Sequence, residues 1–334
     1  METHHPDLTS AELATLWTQY MNDTLGLCVN RYMLEIVEDS GIRSLIEYAI
    51  HLGESHVEKI KTFLSSDNFP IPQGFTDHDV NMKTPRLFTD QFCLHFLNIM
   101  SIHGCHAYSA AVTSVSREDV RHYFTECNAS AIELCNRTKA ELLNKGIYFR
   151  APHISPPVNI EFIKSENFLT GWLGDKRPLN CIEITDLIFN LKKSFMAKAL
   201  SIAFSQVVKS KDARNFLIEA TEIKKRHTEL FCEVLRESDL PSPPDYDSEI
   251  TNSTVAPFSD KLMMFLMGFL YKTALVYYGT GMAASPRRDL VAKYGSVIVD
   301  DIAVESKWMN IMINNSWLEQ PFLASDRKAL VYKG

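Results

Sequence analysis

Residues 8–20 read LTSAELATLWTQY and residues 179–191 read LNCIEITDLIFNL. Thr9 with Glu12, and Asn180 with Glu183, form the same device. A polar cap opens a helix, and an acid three residues on reaches back to the cap's own backbone. The constant offset of 171 runs from residue 8 to residue 81 without a gap. It sets Arg43 against Arg214, His56 against His227, Pro70 against Pro241, Pro72 against Pro243 and Asn81 against Asn252. After one deleted residue an offset of 170 takes over. It pairs Phe88 with Phe258, Asp90 with Asp260, Tyr108 with Tyr278, Arg117 with Arg287, Asp119 with Asp289 and Asn144 with Asn314. The chain carries one domain-sized unit twice.

Each unit reads as four helices. In residues 9–38, Leu13, Trp17, Tyr20, Thr24 and Cys28 recur at helical spacing. A second helix spans Ser40 to Leu64, with Asp39 and Ser210 as caps of the two copies. The third carries Phe92, Phe96, Ile99, His103, His106 and Ala110 on one face. The fourth opens at Ser116 with Asp119 three residues later; in the second copy Ser285 before Pro286 reads as cap and first turn. Gly146 suits a left-handed helix end.

Segments 65–87 and 236–257 are rich in Pro, Asp and Asn, and too long for an ordinary helix–helix turn. They lack β-branched alternation, so no sheet is expected. Chain of that length spans a whole helix, which lets the third helix run parallel to the second. The expected fold is all-α: two tandem ferritin-like four-helix bundles, up-down-down-up, with a long crossover between helices 2 and 3. The expected divisions are a first bundle at 1–152, an ordered linker at 153–178 and a second bundle at 179–334. Phe162, Phe168 and Trp172 are expected to pack the linker against the bundles.

Of 334 residues, 46% are hydrophobic and 22% charged, with a net charge of −7. That mix is soluble and globular, and it lacks the basic stripe of a nucleic-acid binder. Seven cysteines occur with no Cys-x-x-Cys, and none is matched between the copies. Such usage fits a reducing compartment. The polar start METHHPDLTS has no apolar signal core, so a cytoplasmic location is expected. The apolar stretch Leu262–Tyr278 is interrupted by Lys272 and reads as a buried helix, with no membrane span.

A di-iron bundle needs Glu-x-x-His on two helices, because residues three apart share a helix face. The only such motif is Glu2 to His5, in the tail. His51-Leu-Gly-Glu54 is reversed and lies on a polar stripe with Glu47 and Glu58, read as a solvated face. His56 sits on the apolar stripe of its helix, as His227 does in the other copy. A core histidine satisfied by Tyr, Asp or a carbonyl is one reading. A metal site is the other: His103 and His106, at i and i+3, with His56, and Glu35 or Glu126 completing a shell for iron or zinc. The second copy has Thr273 and Val276 in place of that pair. No phosphate loop or nucleophile elbow is present, and Gly279-Thr-Gly281 lacks a preceding strand.

Trp17-Thr-Gln-Tyr20-Met-Asn22, Cys28, His56, Pro70-Ile-Pro72-x-Gly74-Phe75, Asp79-Val-Asn81, Pro85-Arg-Leu-Phe88-x-Asp90, and Gly146 with Arg150-Ala-Pro152 form a pattern over nearly the whole first copy. It resembles an uncharacterised family of Bacillus-type spore formers. That family consists of tandem ferritin-like bundles distantly similar to spore coat protein F domains. The second copy departs from the pattern at Gly74, where Asp245 stands. The resemblance implies the fold and no established reaction.

The expected function is a non-enzymatic structural or interaction protein, stress- or sporulation-associated. The apolar third helices are expected to form the interface between the two bundles or, by self-association, between chains, with the partner protein unspecified. Two alternatives stand beside it: a metal protein with the non-standard histidine site, and a small-molecule binder with an apolar pocket inside one bundle.

Overall fold

The structure is a computed structural model that describes residues 6–171 and 176–331. The first repeat contains α1 (Ser10–Ile36), α2 (Ser40–Ser66), α3 (Asp90–Ser114) and α4 (Glu118–Asn144). The second contains α5 (Cys181–Val207), α6 (Lys211–Arg236), α7 (Asp260–Ala284) and α8 (Arg288–Asn314), followed by the short α9 (Arg327–Val331). Among the described residues there is no β-strand. The fold is all-helical and doubled.

Both expected capping boxes are formed, by Thr9 with Glu12 and by Asn180 with Glu183. Asp39 accepts from the backbone of Gly41 and Ile42, and Ser210 from that of Ala213. The expected caps at Ser116 and Ser285 are not the ones used. The N-caps of α4 and α8 are Arg117 and Arg287, neither with a side-chain cap bond. At α4 the acceptor comes from α1: Glu12 Oε1 takes the N–H of Ser116 at 2.7 Å and of Arg117 at 3.0 Å. Burial opposes charge on Glu12, yet donors from Thr9, Arg117 and Ser116 hold it down at about 2. Ser285 Oγ instead donates back to the Gly281 carbonyl at 2.7 Å and finishes α7.

These bonds also tie the helix ends together. At one end of the first repeat, Glu12 of α1 meets the start of α4, and Arg117 meets Asp67 at the C-terminus of α2, 2.7 Å away. At the other end, Asp90 of α3 accepts from the backbone of Asp39, and Lys145 past α4 meets the Asp39 side chain. The second repeat reproduces this with Asp260 on the backbone of Lys209 and Ser210. Arg43 and Arg214, matched in the sequence, each donate to the C-cap carbonyl of the preceding helix, Val37 or Val208.

The two crossovers meet each other. Each holds a short 3-10 turn, at Asp77–Asp79 and Asp247–Glu249. Antiparallel bridges join Val80 to Phe258 and Phe88 to Ile250. Asn81 N–H donates to Pro257 and Thr251 N–H to Leu87, so the pairing is pseudo-twofold. The symmetry partner of Asn81 is therefore Thr251 and not Asn252. The deleted residue falls before the 3-10 turns, because both turns and their bridges already follow the offset of 170.

One hydrophobic core runs through both repeats, and a smaller cluster around Leu16, Ile60 and Phe124 fills the far end of the first. The apolar faces of α3 and α7 meet inside the chain: the rings of His103 and Phe269 lie 5.4 Å apart, and Met264 and Leu266 are buried. By length and composition α7 could cross a membrane, but 56% of its most apolar window is buried within the protein. The linker differs from expectation. Phe162 is 81% exposed, while Phe168 lies under the Arg177 guanidinium at 4.0 Å. Trp172 and the Glu2–His5 motif lie outside the described residues.

Candidate functional site: a cavity in the first repeat

A cavity of about 380 Å3 lies among the four helices of the first repeat. Its rim is exposed Ala14 and Thr18 of α1 and Ala107 of α3. Small residues keep it open along both helices: Ala14, Thr18, Asn22 and Gly26 on α1, Gly104 and Ala107 on α3. Its body is apolar, with Leu27, Leu52, Phe96, Leu97 and Phe124 from the first repeat and Phe269 from α7. A void of that size left dry would cost about 9 kcal/mol at roughly 24 cal/mol per Å3. That is comparable with the whole stability of a domain. An opening to solvent relieves it, and a ligand would relieve it further.

The polar side chains on its wall come from three helices. His56 Nδ1 of α2 stands 3.3 Å from Asp23 Oδ2 of α1. This is an ion-pair contact whose angle is off a hydrogen bond, so both atoms, with Gln19 Oε1, remain buried without a hydrogen-bond partner. Burial works against a charged His56 ring, but the Asp23 and Cys127 side chains outweigh it and push His56 up to about 10. Gln19 Nε2 donates to Tyr108 Oη of α3 at 3.4 Å and toward Cys127 Sγ of α4 at 3.7 Å. Tyr108 and Tyr123 present ring edges to the imidazole, with centroids 5.9 and 6.1 Å away.

Among the described residues the second repeat has the same helices, with side chains filling the equivalent space. The helix registers place Lys224 at the position of Gly53 and Asp301 at that of Ala131. Lys224 Nζ donates to both oxygens of Asp301, at 2.6 and 2.9 Å, with both side chains buried. The rim is closed as well. Phe189, Lys193 and Tyr277 replace Thr18, Asn22 and Ala107. The rings of Phe189 and Tyr277 touch edge-on at 5.1 Å, and Lys193 Nζ lies over Tyr277 at 3.1 Å from its centroid. Burial drives Lys193 down to about 5, so the plug is an uncharged amine on two rings. Ser194 replaces Asp23 and bonds Tyr278 at 2.7 Å. Beside Lys224 a void of only about 10 Å3 remains.

The expected histidines divide. His56 and His103 both line the cavity. His103 Nδ1 bonds Tyr277 Oη at 2.9 Å, and burial holds it neutral. His106 is exposed; its Nδ1 bonds the carbonyl of Ile102 on its own helix at 2.9 Å and lies 3.4 Å from the same Tyr277 Oη that His103 bonds. Glu35 is exposed, and so is Glu126, 3.3 Å from His122. The set does not converge: among the described residues no three His, Cys, Asp or Glu side chains are placed to hold a metal ion. His227 takes different partners from His56, Asp300 at 3.2 Å and Asp301 at 3.7 Å. Burial and the Lys224 charge push His227 down to about 3. Glu47, His51, Glu54 and Glu58 are exposed, and Glu54 pairs with Arg31 at 2.9 Å. Sequence reasoning missed Gln19, Asp23, Gly53, Ala131 and Cys127. Their signal was present as mismatch between the copies.

The family described as protein of unknown function (DUF3231) matches residues 1–160 and, a second time, residues 167–330. The chain belongs to the DUF3231 family. The double match within DUF3231 agrees with the duplicated helices. Among solved structures the chain is similar to that of a proposed spore coat protein from Bacillus halodurans C-125, at 20% identity. The match covers 45% of this chain and 98% of that one, with a TM-score of 0.40, too low to bear on fold or function. No match was found among curated proteins.

Proposed function

We propose that this DUF3231 protein is a non-enzymatic binding protein built from two ferritin-like, up-down-down-up bundles. The first repeat receives one small, mainly apolar molecule, and the second is its scaffold. The bundle order is supported by the end contacts, which group the starts of α1 and α4 with the end of α2, and the starts of α2 and α3 with the end of α1. The binding role rests on one observation: the cavity of about 380 Å3 exists in the first repeat, and its counterpart is filled by Lys224, Asp301, Phe189 and Tyr277. The size falls within the roughly 300–1,000 Å3 of small-molecule pockets. A sporulation-associated setting belongs to the same proposal and rests on the family resemblance; an immunoblot across growth and sporulation checks it.

Titration with naphthalene as the fluorescent dye, small enough for the cavity, tests the binding role. The wild type should bind one dye per chain. The double variant Thr18→Phe, Ala107→Tyr, which carries the two rings of the second repeat's plug, should keep its helicity and lose the dye. Equal binding by both proteins refutes the reading.

A further inference from the structure

We infer that the ligand of the first repeat is an uncharged alcohol with an apolar body, its hydroxyl donating to the acceptors of Gln19 and Asp23. This rests on the binding role proposed above and names the chemistry that the site selects.

The polar wall has acceptors to offer, and two buried ring nitrogens, His56 Nδ1 and His103 Nε2, are likewise without hydrogen-bond partners. Gln19 Oε1 and Asp23 Oδ2 are buried with no hydrogen-bond partner. Gln19 is only 5% exposed, and its amide nitrogen is already engaged by Tyr108 and Cys127. Buried acceptors left unpaired are unfavourable, so an occupant that brings a donor is preferred over one that does not.

Charge narrows the class. Among the described residues lining the cavity there is no lysine or arginine. The facing titratable groups are Asp23, His56, His103 and Tyr108, whose phenol burial keeps neutral. His56 is charged but stands against Asp23, and His103 is held neutral. A carboxylate or phosphate would meet Asp23 with no free cation to balance it. An ammonium would be buried where the one carboxylate is already paired, and burying an uncompensated charge is strongly unfavourable. A hydroxyl donates without bringing charge. The apolar body has space for about a dozen non-hydrogen atoms at roughly 30 Å3 each.

Displacement of bound naphthalene by four probes with a ten-carbon chain decides the matter: 1-decanol, decyl methyl ether, decanoate and decylamine. Decanol should displace the dye at one per chain and about tenfold more tightly than each of the others; the ether cannot donate. In the double variant Gln19→Leu, Asp23→Leu, which removes both acceptors, the preference for alcohol over ether should vanish while the ether still binds. Equal displacement by all four probes, or strongest displacement by decanoate or decylamine, overturns the alcohol assignment and leaves the cavity standing. Failure of the wild type to bind the dye at all removes the cavity reading itself.

Discussion

Gly53 and Lys224 stand at the same position of the second helix in the two repeats, and Lys224 fills the space that Gly53 leaves. The lysine reaches Asp301, while the glycine faces the Leu27 side chain and Ala131 stands where the aspartate would be. Side chains shared by both copies hold helix ends. Side chains that differ open the cavity, beside the shared His56 and Tyr108 on its wall. The duplication thus separates scaffold from site within one molecule.

The open cleft should make the first repeat the more dynamic half. Amides of α1 and α3 around Gly26 and Gly104 should exchange faster than those of α5 and α7, which are bridged by the Phe189–Tyr277 contact. Hydrogen-exchange mass spectrometry reads this directly. Bound decanol should slow exchange in α1 and α3 and leave α5 unchanged.

Breaking the buried pair should be costly on one side only. Lys224→Met leaves Asp301 charged or forces its protonation, and should lose about 3–5 kcal/mol in urea unfolding. The double variant Lys224→Met, Asp301→Leu should recover most of that loss. A double variant as unstable as the single one would show that the pair itself, and not the filled volume, holds the second repeat.

The two matched histidines should respond to pH in opposite senses. His56 is raised from its ordinary 6.5 to about 10. Its stabilisation is complete below pH 6.5 and is lost as pH rises toward 10. His227 is lowered from 6.5 to about 3, so the unfolded chain takes up the proton first. Stability from His227 is present above pH 6.5 and falls as pH drops toward 3. Urea unfolding of His56→Gln should flatten the alkaline side of the profile, and that of His227→Gln the acid side.

Gly74 takes φ of +62°, and a Cβ there would lie 2.5 Å from Thr24 Oγ1 on α1. Gly74→Ala should therefore destabilise the first repeat by more than about 1 kcal/mol in the same assay. A neutral result would mean that the crossover can move off α1.

Much of the scaffold was legible in the sequence. Thr9, Asn180, Asp39 and Gly146 marked helix ends through local chemistry, and the long crossovers could be seen to span a helix. Ser116 and Ser285 misled, because α4 is capped by a carboxylate from distant Glu12. The linker misled too, since aromatic content alone does not show what Phe162 touches. The cavity was hidden for a different reason: it is made by side chains that are absent. Asking which residues survive in both copies led to His56 and His227, whose partners differ. Asking which positions changed size would have led to Gly53, Ala107 and Ala131.

The most direct measurement is a crystal structure of the protein under xenon pressure, since xenon occupies apolar cavities and reports their position. Xenon density between α1 and α3 in the first repeat, with none at the equivalent place between α5 and α7, is the predicted result. Density in neither repeat, or equally in both, would contradict the assignment of a ligand site to the first repeat.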